Sequence, residues 1–254
     1  MSDALNEQAS PEAIGDLCIS GWLKTTLLDF PGMVASTVFL AGCNFRCPYC
    51  HNPELVLPES IKNNPPLNQE EIFEYLAKYR KMLEGICISG GEPLIHRDLS
   101  GLCNRFKDLG LKTKLDTNGS YPHRLEALLD AALLDYVAVD IKGPPDKIDA
   151  IARPVTADTQ LVNKVEQTVA LLKKSGIAFE IRTTLAPGLL EAADLEAIGS
   201  WLKGCPKFVL QQFRSGNTLD AFFQDLPPYP PEYLREAAAG LSRFFGQCTV
   251  RGID

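Results

Sequence analysis

The feature that most narrows the fold of this chain is an alternation. Short β-branched and apolar runs at 34–40, 86–89, 112–116, 136–140, 179–184 and 208–212 predict strands. Longer amphipathic stretches at 69–82, 97–109, 123–131, 160–174, 192–203 and 231–245 predict the helices between and after them. Asn68, with Glu71 three residues on, reads as a capping box opening the first helix. Residues 17–22 and 249–251 are candidate flanking strands, and 227–231 is a rigid, turn-rich stop before the last helix. Repeated βα units give an α/β protein with a parallel sheet. Six such strands make either an open doubly wound sheet or a partial barrel. In both, ligands sit at the carboxyl ends of the strands.

Composition sets the outer limits. With 254 residues, 45% of them hydrophobic, the chain can bury one large core, so residues 17–254 are expected to form a single domain. Residues 1–16 are polar and acidic, without the basic start and apolar run of a secretory signal, and read as a disordered leader. No stretch approaches the roughly 20 apolar residues of a membrane span, which points to a cytoplasmic protein with no membrane partner. The net charge of −7 is spread along the chain, unlike the basic stripe of a nucleic-acid binder. Three of the eight cysteines fall within eight residues, which suggests metal ligation in a reducing compartment rather than a disulfide scaffold.

The chemically unusual residues fall just after the predicted strand ends. The strongest group is Gly42-Cys43-Asn44-Phe45-Arg46-Cys47-Pro48-Tyr49-Cys50-His51-Asn52. A loop rich in Pro, Asn and Gly is a poor core element, so three merely buried cysteines are the weaker reading. Zinc wants four tight ligands, and His51, directly following Cys50, is badly placed to join the same ion. Thiolates favour iron–sulfur chemistry, and a cubane held by only Cys43, Cys47 and Cys50 keeps one iron open to a chelating ligand. Ser89-Gly90-Gly91-Glu92-Pro93 follows a strand with two glycines that permit close backbone approach and a carboxylate able to accept from an ammonium. Alone it also reads as a tight turn. Asp116-Thr117-Asn118-Gly119 and Asp140-Ile141-Lys142 end neighbouring strands, where paired carboxylates can hold a cation. The plainer reading is a turn and a solvated ion pair.

The C-x3-C-x2-C spacing resembles the radical S-adenosylmethionine (SAM) superfamily. The resemblance implies a partial (β/α)6 barrel of parallel strands and outer helices. It also implies a [4Fe–4S] cluster on Cys43, Cys47 and Cys50 whose open iron binds the amino and carboxylate groups of SAM. Tyr49 would then lie by the adenine, and Gly90, Gly91 and Glu92 at the SAM amino group. Asp116, Thr117, Asn118, Asp140 and Lys142 resemble the SAM and monovalent-cation site of glycyl-radical-enzyme activases. Residues 21–32 and Leu210-Gln211-Gln212-Phe213-Arg214 narrow the resemblance to the anaerobic ribonucleoside-triphosphate reductase activating protein family, over about 17–251. The implied function is reductive SAM cleavage that makes a glycyl radical on that reductase, fed by a low-potential electron donor. Residues 25–32 and 211–214 are expected at the mouth where the partner's glycine loop enters. Pyruvate formate-lyase activating enzymes carry Tyr-His where Phe213-Arg214 stands here, so Arg214 either replaces that histidine or faces the partner. Two rivals remain: a radical SAM enzyme acting on a small molecule, in the manner of carboxy-deazaguanine synthase, and a non-catalytic iron–sulfur electron carrier.

Overall fold

The computed structural model describes residues 17–157 and 159–253. The expected leader, 1–16, lies outside the described residues. Strands and helices alternate: β1 (Ile19–Thr26), β2 (Ala35–Leu40), α1 (Pro53–Val56), α2 (Pro58–Asn63), α3 (Gln69–Tyr79), β3 (Gly85–Gly90), α4 (Leu99–Asp108) and β4 (Lys112–Thr117). Then come α5 (Pro122–Asp130), β5 (Tyr136–Asp140), α6 (Ile148–Ala152), α7 (Leu161–Ser175), β6 (Ala178–Leu185), α8 (Ala192–Trp201), β7 (Lys207–Gln212), α9 (Pro231–Leu241) and β8 (Gln247–Arg251). All the predicted strands and long helices are present. Asn68 does cap α3, its side chain accepting from the Glu70 N–H at 3.0 Å. The short helices α1, α2 and α6 carry no periodicity that a sequence pattern could reveal.

The eight strands lie in sequential order, β1 to β8. β1 is antiparallel to β2, and every later neighbouring pair is parallel. Both candidate flanking strands are real, and β8 makes the parallel run one strand longer than the six expected. Sequential order decides between the two architectures. Crossovers of one hand that never reverse the strand order put all the helices on one face, so the sheet curls into a partial barrel.

The strand pleat sorts the residues accordingly. Ile86, Ile88, Leu115, Val137, Val139, Ile181, Phe208 and Leu210, all fully buried, belong to the apolar core shared with the helices. Their alternates carry the polar groups: Ser89, Asp116, Asp140, Arg182, Thr184 and Gln211 line a cavity inside the barrel. Period-two alternation in a parallel strand buried on both faces thus reports a polar interior.

Residues 25–32 are not at the mouth. Because β1 runs antiparallel, the connection from β1 to β2 lies at the amino ends of the parallel strands, opposite the cysteines. Phe30 seals that end, its ring 6.0 Å from Tyr136 at the start of β5. Gly85 at the start of β3 leaves room for it, since a Cβ there would come within 2.8 Å of the Phe30 ring. From this segment, Asp29 alone reaches the cavity, and it accepts from Thr37 Oγ1 at 2.6 Å.

Candidate active site

The cysteine loop is held in shape by segments far away in sequence. Arg46 N–H donates to Ala152 O at 2.9 Å and Arg153 O at 3.0 Å, and Val155 N–H donates to Asn44 O at 2.9 Å. Arg153 adopts the left-handed conformation, φ 48°, to end α6 and turn along the loop. On the other side Leu219 N–H donates to Cys50 O at 3.0 Å and Asp220 N–H to Pro48 O at 2.9 Å. Within the loop the Arg46 guanidinium donates to the Cys43 and Phe45 carbonyls, both at 2.8 Å. With its backbone groups satisfied from outside, the loop presents its side chains in a fixed arrangement.

Cys43, Cys47 and Cys50 line one cavity of about 350 Å³. Among the described residues no three Cys, His, Asp or Glu side chains converge as they would on a single ion. All three residues line the same cavity, which leaves each thiol to a separate corner of a cluster. Burial pushes the Cys43 and Cys50 thiols up, and Cys47 to about 11, against the pull of Lys142 on Cys47. Thiols so placed become thiolates when a metal supplies the positive charge. His51 reaches the cavity rim, but its ring stacks on Phe213 at 5.8 Å. Tyr49 is buried, lines the cavity, and has a hydroxyl with no protein partner.

The glycines after β3 are explained first by packing. Gly90 has φ +127°, and a Cβ on it would overlap the Leu40 backbone; one on Gly91 would overlap Gly42 O. Gly91 N–H donates to Leu40 O at 2.9 Å and Glu92 N–H to Gly42 O at 2.8 Å, so this loop and the start of the cysteine loop are built as one piece. Both glycines also line the cavity. Gly91→Ala is therefore expected to lower stability by about 3 kcal/mol or more, because the overlap is with backbone that cannot rotate away. Urea unfolding checks it, and a wild-type midpoint would show that the loops can separate.

Glu92 lies behind the cavity rather than in its lining. It accepts from Leu94 N–H at 3.0 Å, Thr117 Oγ1 at 2.7 Å and Asn118 N–H at 2.6 Å. Burial pushes its carboxyl up to about 7, and those three donors hold it back from rising further. It ties the end of β3 to the end of β4. Asn118 continues the tie, donating to Asn44 Oδ1 at 2.9 Å, while Asn44 donates to Ser120 Oγ at 2.9 Å. The cysteine loop and the Asp-Thr-Asn-Gly turn are thus cross-linked by side-chain amides.

Asp116, Thr117, Asn118, Asp140 and Lys142 all line the cavity, as the strand-end rule expects. Their organiser is a residue that the sequence reading missed. Arg182 of β6 donates to both oxygens of Asp140, at 2.8 and 2.9 Å, and to Asp116 Oδ2 at 3.1 Å. Lys114 pairs with Asp116 from below, and Lys142 lies 3.8 Å from Asp140. Burial alone would raise Asp140, but Arg182 and Lys142 overcome it and hold the carboxyl at about 2. Asp116 is lowered against the same burial penalty by Arg182 and Lys114. Burial opposes the charge on Lys142, yet Asp140 raises its pKa. The carboxylate pair offered to a monovalent cation is already bridged by a guanidinium of the chain itself. The signal for Arg182 was present as an arginine in an apolar strand, on the inward register shared with Glu180 and Thr184.

Arg214 does not line this cavity. It is exposed, beyond Phe213, on a separate shallow groove.

Comparison with known proteins agrees with this construction. Residues 37–199 match the model of the Radical SAM superfamily. A Methanocaldococcus jannaschii protein named for glycyl-radical enzyme activation is 32% identical over 237 residues, 93% of this chain and 96% of its own. The pyruvate formate-lyase-activating enzyme of Streptococcus mutans is 30% identical over 226 residues, covering 82% of this chain and 81% of its own. Among solved structures, Streptococcus suis SuiB bound to S-adenosylmethionine superposes with a TM-score of 0.60 at 14% identity. That match covers 83% of this chain and 48% of SuiB, so this chain spans about half of SuiB's length and shares its fold. The chain belongs to the radical SAM superfamily, whose members use a [4Fe–4S] cluster and SAM, and within it to the glycyl-radical-enzyme activating enzymes.

Proposed function

We propose that this activating enzyme makes a glycyl radical on anaerobic ribonucleoside-triphosphate reductase. The observation that carries the reading is the shared cavity, in which three thiols meet a charged ring from the ends of β4, β5 and β6. The residues fit the cofactors. Cys43, Cys47 and Cys50 would hold three corners of the cluster, and among the described residues no fourth cysteine lines the cavity to close the last iron. Asp29, Asp116 and Asp140 bring carboxylates to the lining, which suit the sulfonium and ammonium of SAM. Lys142 suits its carboxylate, and the unpartnered Tyr49 hydroxyl leaves a hydrogen bond for the nucleoside. Gly90 and Gly91 offer backbone to the ligand, while Glu92, Thr117 and Asn118 keep that backbone in place. When bound, the cluster supplies the electron that splits SAM into methionine and a 5′-deoxyadenosyl radical. The choice of reductase rests on the resemblance of residues 21–32 and 210–214.

Asp140→Ala and Glu92→Ala are expected to keep the cluster and weaken SAM binding about tenfold, Asp140 by loss of a charged partner and Glu92 through the Thr117–Asn118 backbone. Calorimetry on reconstituted protein measures it. Wild-type affinity in both variants would make these groups scaffold only. The partner is tested by anaerobic incubation with the reductase and, separately, with pyruvate formate-lyase, scored by EPR. A glycyl doublet on the reductase is the expected result. A doublet only on pyruvate formate-lyase would reassign the partner, and none on either, with deoxyadenosine still formed, would remove the activase reading.

A further inference from the structure

Beside the active-site mouth lies a second concavity that the catalytic reading does not use. It is a shallow groove of about 450 Å³ at the carboxyl ends of β7 and β8, lined by Gln212, Phe213, Arg214, Tyr229, Pro230 and Gly252, among others. Its floor is rigid. Phe213 is fully buried, and the Tyr229 ring packs, tilted by 30°, at 4.8 Å against Tyr233 with its hydroxyl donating to Leu190 O at 3.3 Å.

Gln212 and Arg214 bring polar side chains to this groove. Gln212 Nε2 donates to Tyr229 O at 2.7 Å. A carbonyl can only accept, so that bond fixes the amide orientation and leaves Oε1 facing away. Among the described residues Oε1 is inaccessible to solvent and has no hydrogen-bond partner. Arg214 is exposed, and the ion pairs found among the described residues do not include it. Its guanidinium lies over Gly252, 3.7 Å from where a Cβ would stand.

The groove is continuous with the active site. Phe213 lines the groove and stacks on His51, which lines the cavity. β8 is also the last strand of the sheet, so its outer edge offers backbone groups to an extended chain beside the groove.

We propose that this groove docks an extended acidic segment of the partner enzyme, next to the glycine that enters the cavity. Arg214 pairs with a carboxylate of that segment, and the outer edge of β8 offers its backbone a partner. Charge selects the occupant: on a chain of net charge −7, Arg214 is a cation without an ion-pair partner at the mouth. An acidic segment is then repelled elsewhere and held here, which sets register as well as affinity. The proposal rests on the activase reading.

The test measures glycyl radical yield against partner concentration for wild type, Arg214→Ala, Arg214→Glu and Arg214→Lys, with the reductase and with pyruvate formate-lyase. Deoxyadenosine formed without partner is measured on the same preparations. Arg214→Glu is expected to raise the half-saturating partner concentration about tenfold, with Arg214→Ala intermediate and Arg214→Lys closest to wild type. The plateau yield and partner-free deoxyadenosine should stay unchanged, and 300 mM KCl should shrink the difference between wild type and Arg214→Glu. Equal half-saturation for all four proteins overturns the groove, and so does a matching loss of partner-free deoxyadenosine, which places Arg214 at SAM. If the wild type yields no radical on either partner, the activase reading fails in that arm and takes the docking proposal with it.

Discussion

Changing Cys43, Cys47 or Cys50 to alanine is expected to abolish the cluster outright, taking iron from about four per chain to near zero after anaerobic reconstitution. Each thiol stands on a loop whose backbone is bonded at both flanks, to Ala152–Val155 and to Leu219–Asp220, so a neighbour cannot shift to replace a lost ligand. Cys103→Ala is the control. That thiol is fully buried among the α4 core residues Leu99, Leu102 and Phe106, and its loss should cost some stability and no iron. Iron analysis and the charge-transfer absorbance of the cluster distinguish the cases. Retention of the cluster in any of the three loop variants would remove that cysteine from the ligand set. Zinc filling the site in protein made and purified anaerobically would reject the iron–sulfur assignment.

The second large effect is expected at Arg182. Arg182→Met keeps the length of the side chain and strands Asp116 and Asp140 beside each other with only Lys114 and Lys142 to balance them. Asp140 loses both of its close donors and keeps only Lys142 at 3.8 Å, and removing one partner from a buried ion pair costs about 3–5 kcal/mol. SAM affinity should fall too, because both carboxylates lie in the cavity lining. Adding Asp140→Asn to Arg182→Met removes the carboxylate left with the weaker partner, and partial recovery of the urea midpoint is the expected sign of coupling. The pH dependence has a definite sense. Asp140 is held at about 2, below its ordinary 3.8, so its stabilising contribution is complete above about pH 4 and disappears as the pH falls toward 2. The gap between wild type and Arg182→Met in cluster-free protein should therefore narrow through that window. Equal midpoints at neutral pH would show that Lys114 and Lys142 alone neutralise the two carboxylates.

Much of the architecture follows from local sequence. A strand needs a run of β-branched and apolar residues, a crossover helix needs a 3.6-residue apolar stripe, and this chain writes both in turn. The cysteine motif was legible because three thiols at two short spacings sit within one loop, and Gly90, Asp116, Asp140 and Lys142 were legible because a parallel sheet delivers its strand ends to one place. These are statements about neighbours in sequence or about a rule that holds for the whole fold.

What stayed hidden depends on distances between segments that the sequence separates widely. Arg182 meets Asp116 and Asp140 only because β4, β5 and β6 are adjacent and in register. Glu92 looked like a ligand group, yet the tertiary structure aims Thr117 Oγ1 and the Asn118 N–H at it. The placement of residues 25–32 was misjudged because their sequence does not say which way β1 runs; pairing antiparallel to β2 sends them to the end sealed by Phe30. By itself the sequence determined which elements form and which residue types can ligate, since propensity, pleat and spacing act over a few residues. Only the tertiary structure decided which charges neutralise one another and which faces meet a ligand, since electrostatic pairing and burial depend on separation in space.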